Sequence, residues 1–242
     1  MERLDKVLAN LGEGSRRDVR LMIKKGQVSV DGTVARDPEM KIDPETSSVC
    51  LNGRMLTYRK YIYIMMHKPA GLLSATRDPS TPTVLSLLPE KLQKQGLFPA
   101  GRLDKDSEGL LLLTNDGDTA HRLISPNFHV EKRYFVRFEG TLDKDADERI
   151  ERGITIDGGE VCRPGRLVVL GENEAEVFVT EGKYHQVKRM IAACGGTVTY
   201  LRRLSFGPLE LDNGLQPGDF RFLTDTEEKE ILKIHEKLSG KV

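Results

Sequence analysis

The sequence predicts an α+β protein of two domains: a small N-terminal αβ domain, then a larger one on a mixed or antiparallel β-sheet flanked by helices. Three observations predict it. The first sixty residues hold two amphipathic helical patterns followed by two hairpin signals. Beyond them, strand-like runs and helical patterns succeed one another without strict alternation, which argues against a parallel βαβ build. At 242 residues with 38% hydrophobic content, the chain is long enough to bury a substantial core.

Leu4, Val7, Leu8 and Leu11 recur at the spacing of one helix face. Ser15, with Asp18 three residues on, reads as the N-cap of a second helix. Its inner face is Val19, Met22 and Ile23, its stop is Gly26, and Arg16, Arg17, Arg20, Lys24 and Lys25 surround that face. V-S-V-D-G-T-V, 28–34, is a hairpin signal around Asp31-Gly32, and 46–56 repeats it around Asn52-Gly53. Residues 57–60 are polar enough to be a linker, which puts the domains at 1–59 and 60–242.

The second domain opens with a strand at 61–66 ended by Pro69 to Gly71, and 110–113 reads as a short buried strand closed by T-N-D-G. Further strands are expected at 134–139, 167–170, 176–180 and 197–201, with helices near 119–124, 145–153 and 184–194. A closing helix is expected at 227–238, where Thr224 and Glu227 stand at capping-box spacing.

The formal net charge is zero, but the charge is segregated. Residues 182–203 carry Lys183, Lys188, Arg189, Arg202 and Arg203 and no acid, whereas 141–181 hold eleven acids against five bases. That division is compatible with a basic surface patch for a polyanion, although solvated faces with no partner explain any single segment. Cys50, Cys162 and Cys194 lie far apart without a C-x-x-C, so neither a zinc site nor a disulfide framework is suggested. The N-terminus lacks a signal peptide's apolar stretch and no run approaches membrane-spanning length, so a cytoplasmic protein with reduced thiols is expected.

G-R-L-D-K-D-S-E-G-L-L-L-L-T-N-D-G, 101–117, crowds Asp104, Asp106 and Glu108 against the buried run. A calcium loop fails at its fifth and twelfth positions, Glu108 and Asn115. Asp104, just before a buried strand, needs a cationic or hydrogen-bonding partner to stay ionised. On pattern alone, such a carboxylate is more often structural, and Asp106 and Glu108 shape or solvate the turn. Lys188 stands beside the apolar stripe Val187, Met190, Ile191 and Cys194, as a placed cation or as a rim lysine. Tyr134, in an alternating strand, has the core as its usual destination.

R-L-D-K-V-L-A-N with S-R-R-D-V-R-L-M-I-K-K-G-Q-V-S-V-D-G resembles the S4 RNA-binding domain. The 101–117 stretch resembles the catalytic motif of the RsuA branch of the pseudouridine synthases. E-K-R-Y-F-V at 131–136 and E-G-K-Y-H-Q-V-K-R-M at 181–190 are similar to that branch's second and third motifs. The resemblance implies an S4-like domain ahead of a catalytic domain, and conversion of a uridine in ribosomal RNA to pseudouridine. No redox cofactor, nucleotide or metal is then needed, and no membrane is involved. The partner is ribosomal RNA or an assembling subunit, and a monomer is expected.

By the same resemblance Asp104 is the catalytic carboxylate, as nucleophile at C1′ or base at C2′, and Lys188 is its partner. Tyr134 stacks on the uracil, and Arg102 fills the gap the uridine leaves. Lys132, Arg133, Lys183, Gln186 and Arg189 contact RNA, His185 has a structural or RNA-contacting role, and Arg16, Arg17, Arg20 and Lys24 meet phosphate from the S4-like helix. The wording H-Q-V-K-R-M sits closer to the small-subunit enzyme than to its large-subunit relatives. A large-subunit enzyme, or a non-catalytic S4-type ribosome-assembly factor, is the alternative. A hydrolase with paired carboxylates lacks its second acid.

Overall fold

The computed structural model describes residues 1–56 and 58–235. Two compact units emerge: Met1–Ile62 together with Leu88–Leu97, and Tyr63–Leu87 together with the chain from Phe98 onward. Thr57, at the head of the expected linker, lies outside the described residues.

In the first unit, α1 (Leu4–Asn10) and α2 (Arg16–Lys24) form where the apolar spacing places them. Ser15 and Asp18 make the reciprocal capping box, the Ser15 N–H donating to the Asp18 carboxylate at 3.1 Å. Strands β1 (Val28–Val30), β2 (Thr33–Val34), β3 (Val49–Leu51) and β4 (Arg54–Leu56) pair antiparallel in the order β2-β1-β3-β4. Asp31 and Gly32 turn the first hairpin with φ of 50° and 79°, the left-handed pair that a right-twisted hairpin demands. Leu4, Leu8, Val19, Ile23, Val28 and Val49 share the core. Residues 88–97 join this unit, with Lys91 Nζ donating to Glu13 Oε1 at 2.6 Å; no sequence feature signals it.

The second unit is built on a nine-stranded sheet. Its strands are β5 (Tyr63–Lys68), β6 (Phe98–Ala100), β7 (Glu108–Thr114), β8 (Lys132–Gly140), β9 (Arg166–Gly171), β10 (Glu174–Val179), β11 (Gly196–Phe206), β12 (Leu209–Glu210) and β13 (Phe220–Phe222). The order is β9-β10-β8-β11-β7-β5-β13, with β12 on β11 and β6 on β7. Only β11 and β7 run parallel, joined at Arg202–Glu108 and Arg203–Gly109. Helices α3 (Gly117–Ile124), α4 (Ala146–Arg152) and α5 (Gln186–Ala193) lie within a residue or two of their expected places. Asp116 caps α3 and also accepts from the buried Tyr63 hydroxyl at 2.6 Å. The closing helix α6 (Asp225–Leu232) follows the Thr224–Glu227 capping box, and 236–238 of the expected helix lie outside the described residues.

Two expectations need correction. The first strand begins at Tyr63 rather than Tyr61 and runs on to Lys68, because its pairing with β7 extends from Tyr63–Thr114 to Lys68–Gly109. The strand expected at 197–201 continues to Phe206 and carries Arg202 and Arg203 into the sheet. Arg203 is 1% exposed. The basic stretch 182–203 is therefore not one surface patch. Among the described residues, no helix is long and apolar enough to cross a membrane.

Candidate active site

The loop between β6 and β7 holds Asp104 at the wall of a cavity of about 820 Å³, lined entirely by the second unit. Backbone ties fix this loop on both sides of Asp104. Ser74 Oγ donates to the Leu103 carbonyl at 2.9 Å and accepts from the Leu103 N–H at 3.1 Å. The Gly71 N–H donates to the Lys105 carbonyl at 2.7 Å. Across the cavity, α5 begins at His185, whose φ of 48° is left-handed. His185 Nε2 lies 3.5 Å from Asp104 Oδ1, and Lys188 Nζ 3.4 Å from Asp104 Oδ2.

Lys188 is shared. Its ammonium reaches Asp106 Oδ1 at 2.6 Å, closer than Asp104, and this pairing holds the Asp106 carboxyl below its ordinary range. Asp106 therefore does more than solvate the turn. Glu108 accepts from the Tyr200 hydroxyl at 2.8 Å, which anchors the start of β7.

Tyr134 lies on β8 and lines the cavity, 8% exposed. Arg102 lines it too, with its side chain exposed. Gln186 is buried at the head of α5, donating from Nε2 to Glu181 Oε1 and accepting from the Lys183 N–H, both at 2.9 Å. Lys183 lines the cavity but pairs with Glu160 at 2.9 Å.

Three expected RNA contacts are placed differently. Strand alternation puts Lys132 on the Tyr134 face and Arg133 on the other. Lys132 is 6% exposed, donating to the Val130 carbonyl at 2.9 Å, so it is no surface contact for the RNA backbone. Arg133 is engaged by Glu210 at 2.6 Å and Glu176 at 3.6 Å, away from the cavity. Arg189 is held by Asp157 and by Glu160 at 2.9 Å, because α5 turns it towards the acidic 157–160 segment. On α2, in the first unit, Arg16, Arg17, Arg20 and Lys24 are all exposed, but Arg20 already pairs with Glu39 at 2.9 Å.

Residues 62–193, more than half of the chain, match the RNA pseudouridylate synthase family, and residues 2–47 match the S4 domain. The chain belongs to the pseudouridylate synthases. A Bacillus subtilis relative, named an uncharacterized RNA pseudouridine synthase, is 46% identical over 93% of this chain and 96% of its own length. A Vibrio cholerae relative named ribosomal small subunit pseudouridine synthase A is 42% identical over 96% of this chain and all of its own. A crystal structure of a pseudouridylate synthase superposes with a TM-score of 0.67 at 32% identity, covering 96% of this chain and all of that one.

In this synthase the residue that sequence reasoning missed most plainly is Lys68. It is fully buried at the end of β5, and its ammonium donates to the carbonyls of Ser107 at 2.7 Å, Pro69 at 2.9 Å and Lys105 at 3.2 Å. Three acceptors suit the three N–H donors of one ammonium, and the tie fixes the far side of the Asp104 loop. The one signal available was a lysine ending a largely apolar strand, after His67 and just ahead of Pro69.

Burial pushes Lys68 down to about 8, with Asp106, Glu108 and Asp104 pulling the other way. Lys132 is also pushed down to about 8, by burial and by nearby Arg203. The unfolded chain then holds more protons on these lysines between pH about 8 and 10.5, so their contribution to stability rises with pH through that window. Burial raises the pKa of Cys162, Cys194 and Tyr63 and pulls the other way, so the difference between proteins is the readout. In urea unfolding from pH 7 to 10, Lys132→Met is expected to have a lower slope of stability against pH than the wild type. Superimposable pH profiles would remove the argument.

Proposed function

We propose that this synthase isomerises one specific uridine of small-subunit ribosomal RNA to pseudouridine in the cytoplasm, working as a monomer with Asp104 as its catalytic carboxylate. The observation that carries the chemical reading is Asp104 at the cavity wall, 3.4 Å from Lys188 and 3.5 Å from His185, in the cavity that Tyr134 lines. The substrate reading is supported by relatives named ribosomal small subunit pseudouridine synthase A, 42% identical in Vibrio cholerae and 38% in Escherichia coli.

The reaction breaks the bond between uracil N1 and ribose C1′, turns the base and joins C5 to C1′, with no atom gained or lost. Asp104 acts on the sugar, by attack at C1′ or by taking the C2′ proton, and both uses need its negative charge. Lys188, 3.4 Å away, orients the carboxylate. Tyr134 stacks on the base, and Arg102, exposed at the cavity, fills the vacated stack. Lys183, His185 and Gln186 shape the wall near the target nucleotide.

Pseudouridine mapping by chemical blocking and primer extension, on ribosomal RNA of both subunits from cells lacking the protein, tests the assignment. One small-subunit uridine that returns to the modified state on complementation is expected. A restored site in large-subunit RNA would move the substrate, and no restored site would end the reading.

RNA binding also draws on α2. Arg16 and Arg17 are exposed and form no ion pair among the described residues, whereas Arg20 is already engaged. The double variant Arg16→Ala/Arg17→Ala is expected to reduce the slope of log affinity against log salt by about 1 to 2. Arg20→Ala should change it by less, as read in filter-binding titrations. An unchanged slope in the double variant would take this helix out of the RNA contact.

A further inference from the structure

Two buried cations line the inner wall of the cavity, and the roles assigned to Asp104, Lys188, Tyr134 and Arg102 leave them unused. Tyr134 and Arg203 are direct cross-strand partners on β8 and β11, and Lys132 follows on the same face, paired with Phe206. A register shift makes this arrangement. Arg133 pairs with Ser205 but Tyr134 with Arg203, so Leu204 is an extra residue, and the bulge turns Arg203 onto the Tyr134 face.

The pair is poorly compensated. Arg203 Nε donates to the Leu110 carbonyl at 2.8 Å, but its buried Nη2 finds no acceptor among the described residues. The Lys132 ammonium donates to the Val130 carbonyl. Both cations lie over the ring of Phe206, Arg203 Cζ at 4.8 Å and Lys132 Nζ at 5.3 Å from its centroid. The acid that acts on Lys132 is Glu181, whose Oε1 is already taken by Gln186 Nε2 and the Arg163 N–H. Lys132, pushed down to about 8, is still largely protonated at neutral pH. A buried guanidinium with an unmatched donor, set in a cavity wall beside a second cation, is arranged for an anion that arrives with the substrate.

We infer that Arg203 and Lys132 form a seat for the detached uracil in its anionic form, beside the Tyr134 ring, and so act as further catalytic residues. The inference rests on the proposed reaction. When the C1′–N1 bond breaks, its electron pair leaves with the base, and the charge spreads over N1, O2 and O4. C5 then returns a pair to C1′, a proton leaves C5, and one is taken up at N1. Between those events the base must turn while held by its edge. A cationic wall beside the stacking ring can follow the charge from one oxygen to the other, as a single directed hydrogen bond cannot.

The test is a binding titration that needs no turnover, so loss of the reaction assignment and loss of this seat would appear in separate experiments. Chemical-shift titrations of the full chain at pH 7 would compare uracil, 5-nitrouracil (anionic at that pH) and inorganic phosphate. Wild-type protein is expected to bind 5-nitrouracil at least about tenfold more tightly than uracil, with phosphate a poor competitor. Lys132→Gln and Arg203→Gln are expected to bring that preference below about threefold. Arg203→Gln risks the fold, because Nε braces Leu110; Lys132→Gln and the wild-type comparison stand without it. Equal binding of the two pyrimidines to the wild type, equally effective competition by phosphate, or a full preference in Lys132→Gln would each overturn the inference.

Discussion

Asp104→Asn protein is expected to convert its target uridine at least about 10³-fold more slowly than the wild type, while binding the same RNA within about threefold. The substitution keeps the side chain's shape and removes its charge. The surrounding frame does not depend on that charge, because Ser74, Gly71 and Lys68 tie down the loop backbone. Lys188 also keeps Asp106 at 2.6 Å, so α5 has no unpaired cation to drive it away. The loss should therefore fall on the chemical step. Single-turnover kinetics with enzyme in excess measures that step directly. Asp106→Asn is the informative companion: it hands Lys188 wholly to Asp104 and should change the rate by no more than about tenfold. A rate for Asp104→Asn within tenfold of the wild type would remove this carboxylate from the reaction.

Gly109→Ala is expected to destabilise the second unit by at least about 4 kcal/mol, lowering its Tm by about 10 °C or more. Gly109 is where β7 meets β11 in the sheet's parallel pairing, and its φ is +105°. A Cβ there would lie 2.2 Å from the Arg203 carbonyl oxygen and 2.6 Å from its amide nitrogen. Backbone on both sides cannot yield as a flexible side chain could, so the two strands would have to part. Gly117→Ala is the control. It opens α3 with nothing within 4 Å of an added Cβ, and alanine there should leave stability unchanged or raise it by about 0.5 kcal/mol. Differential scanning calorimetry of both variants decides it; a Gly109→Ala transition within 3 °C of the wild type would mean that the strands slide apart freely.

The elements were legible where a local pattern carries its own physical cause. Ser15–Asp18 and Thr224–Glu227 are capping boxes because each needs only residues three apart, and Asp31-Gly32 turns because only certain residues accept its backbone angles. The ordered motifs around Asp104, Tyr134 and Lys188 pointed to the family for the same reason, since wording is a property of the chain alone. Charge was read less well. Five basic residues in 182–203 look alike in sequence, yet Lys183 and Arg189 are bound to acids from 157–160, Lys188 to the Asp104 loop, and Arg203 is buried in the sheet. The neighbours Lys132 and Arg133 sit on opposite faces of one strand.

By itself, the sequence of this synthase determined its helices, hairpins and caps, the order of its two domains and the family it joins. Those depend on periodicity, turn chemistry and motif order over a few residues at a time. Only the tertiary structure decided which charges meet. Lys188 and Asp106 are 82 positions apart, Lys68 and Ser107 are 39, and Arg203 and Leu110 are 93. An ion pair or a buried donor is fixed by the register of the strands that carry it, and a one-residue bulge at Leu204 is enough to choose which arginine faces the cavity.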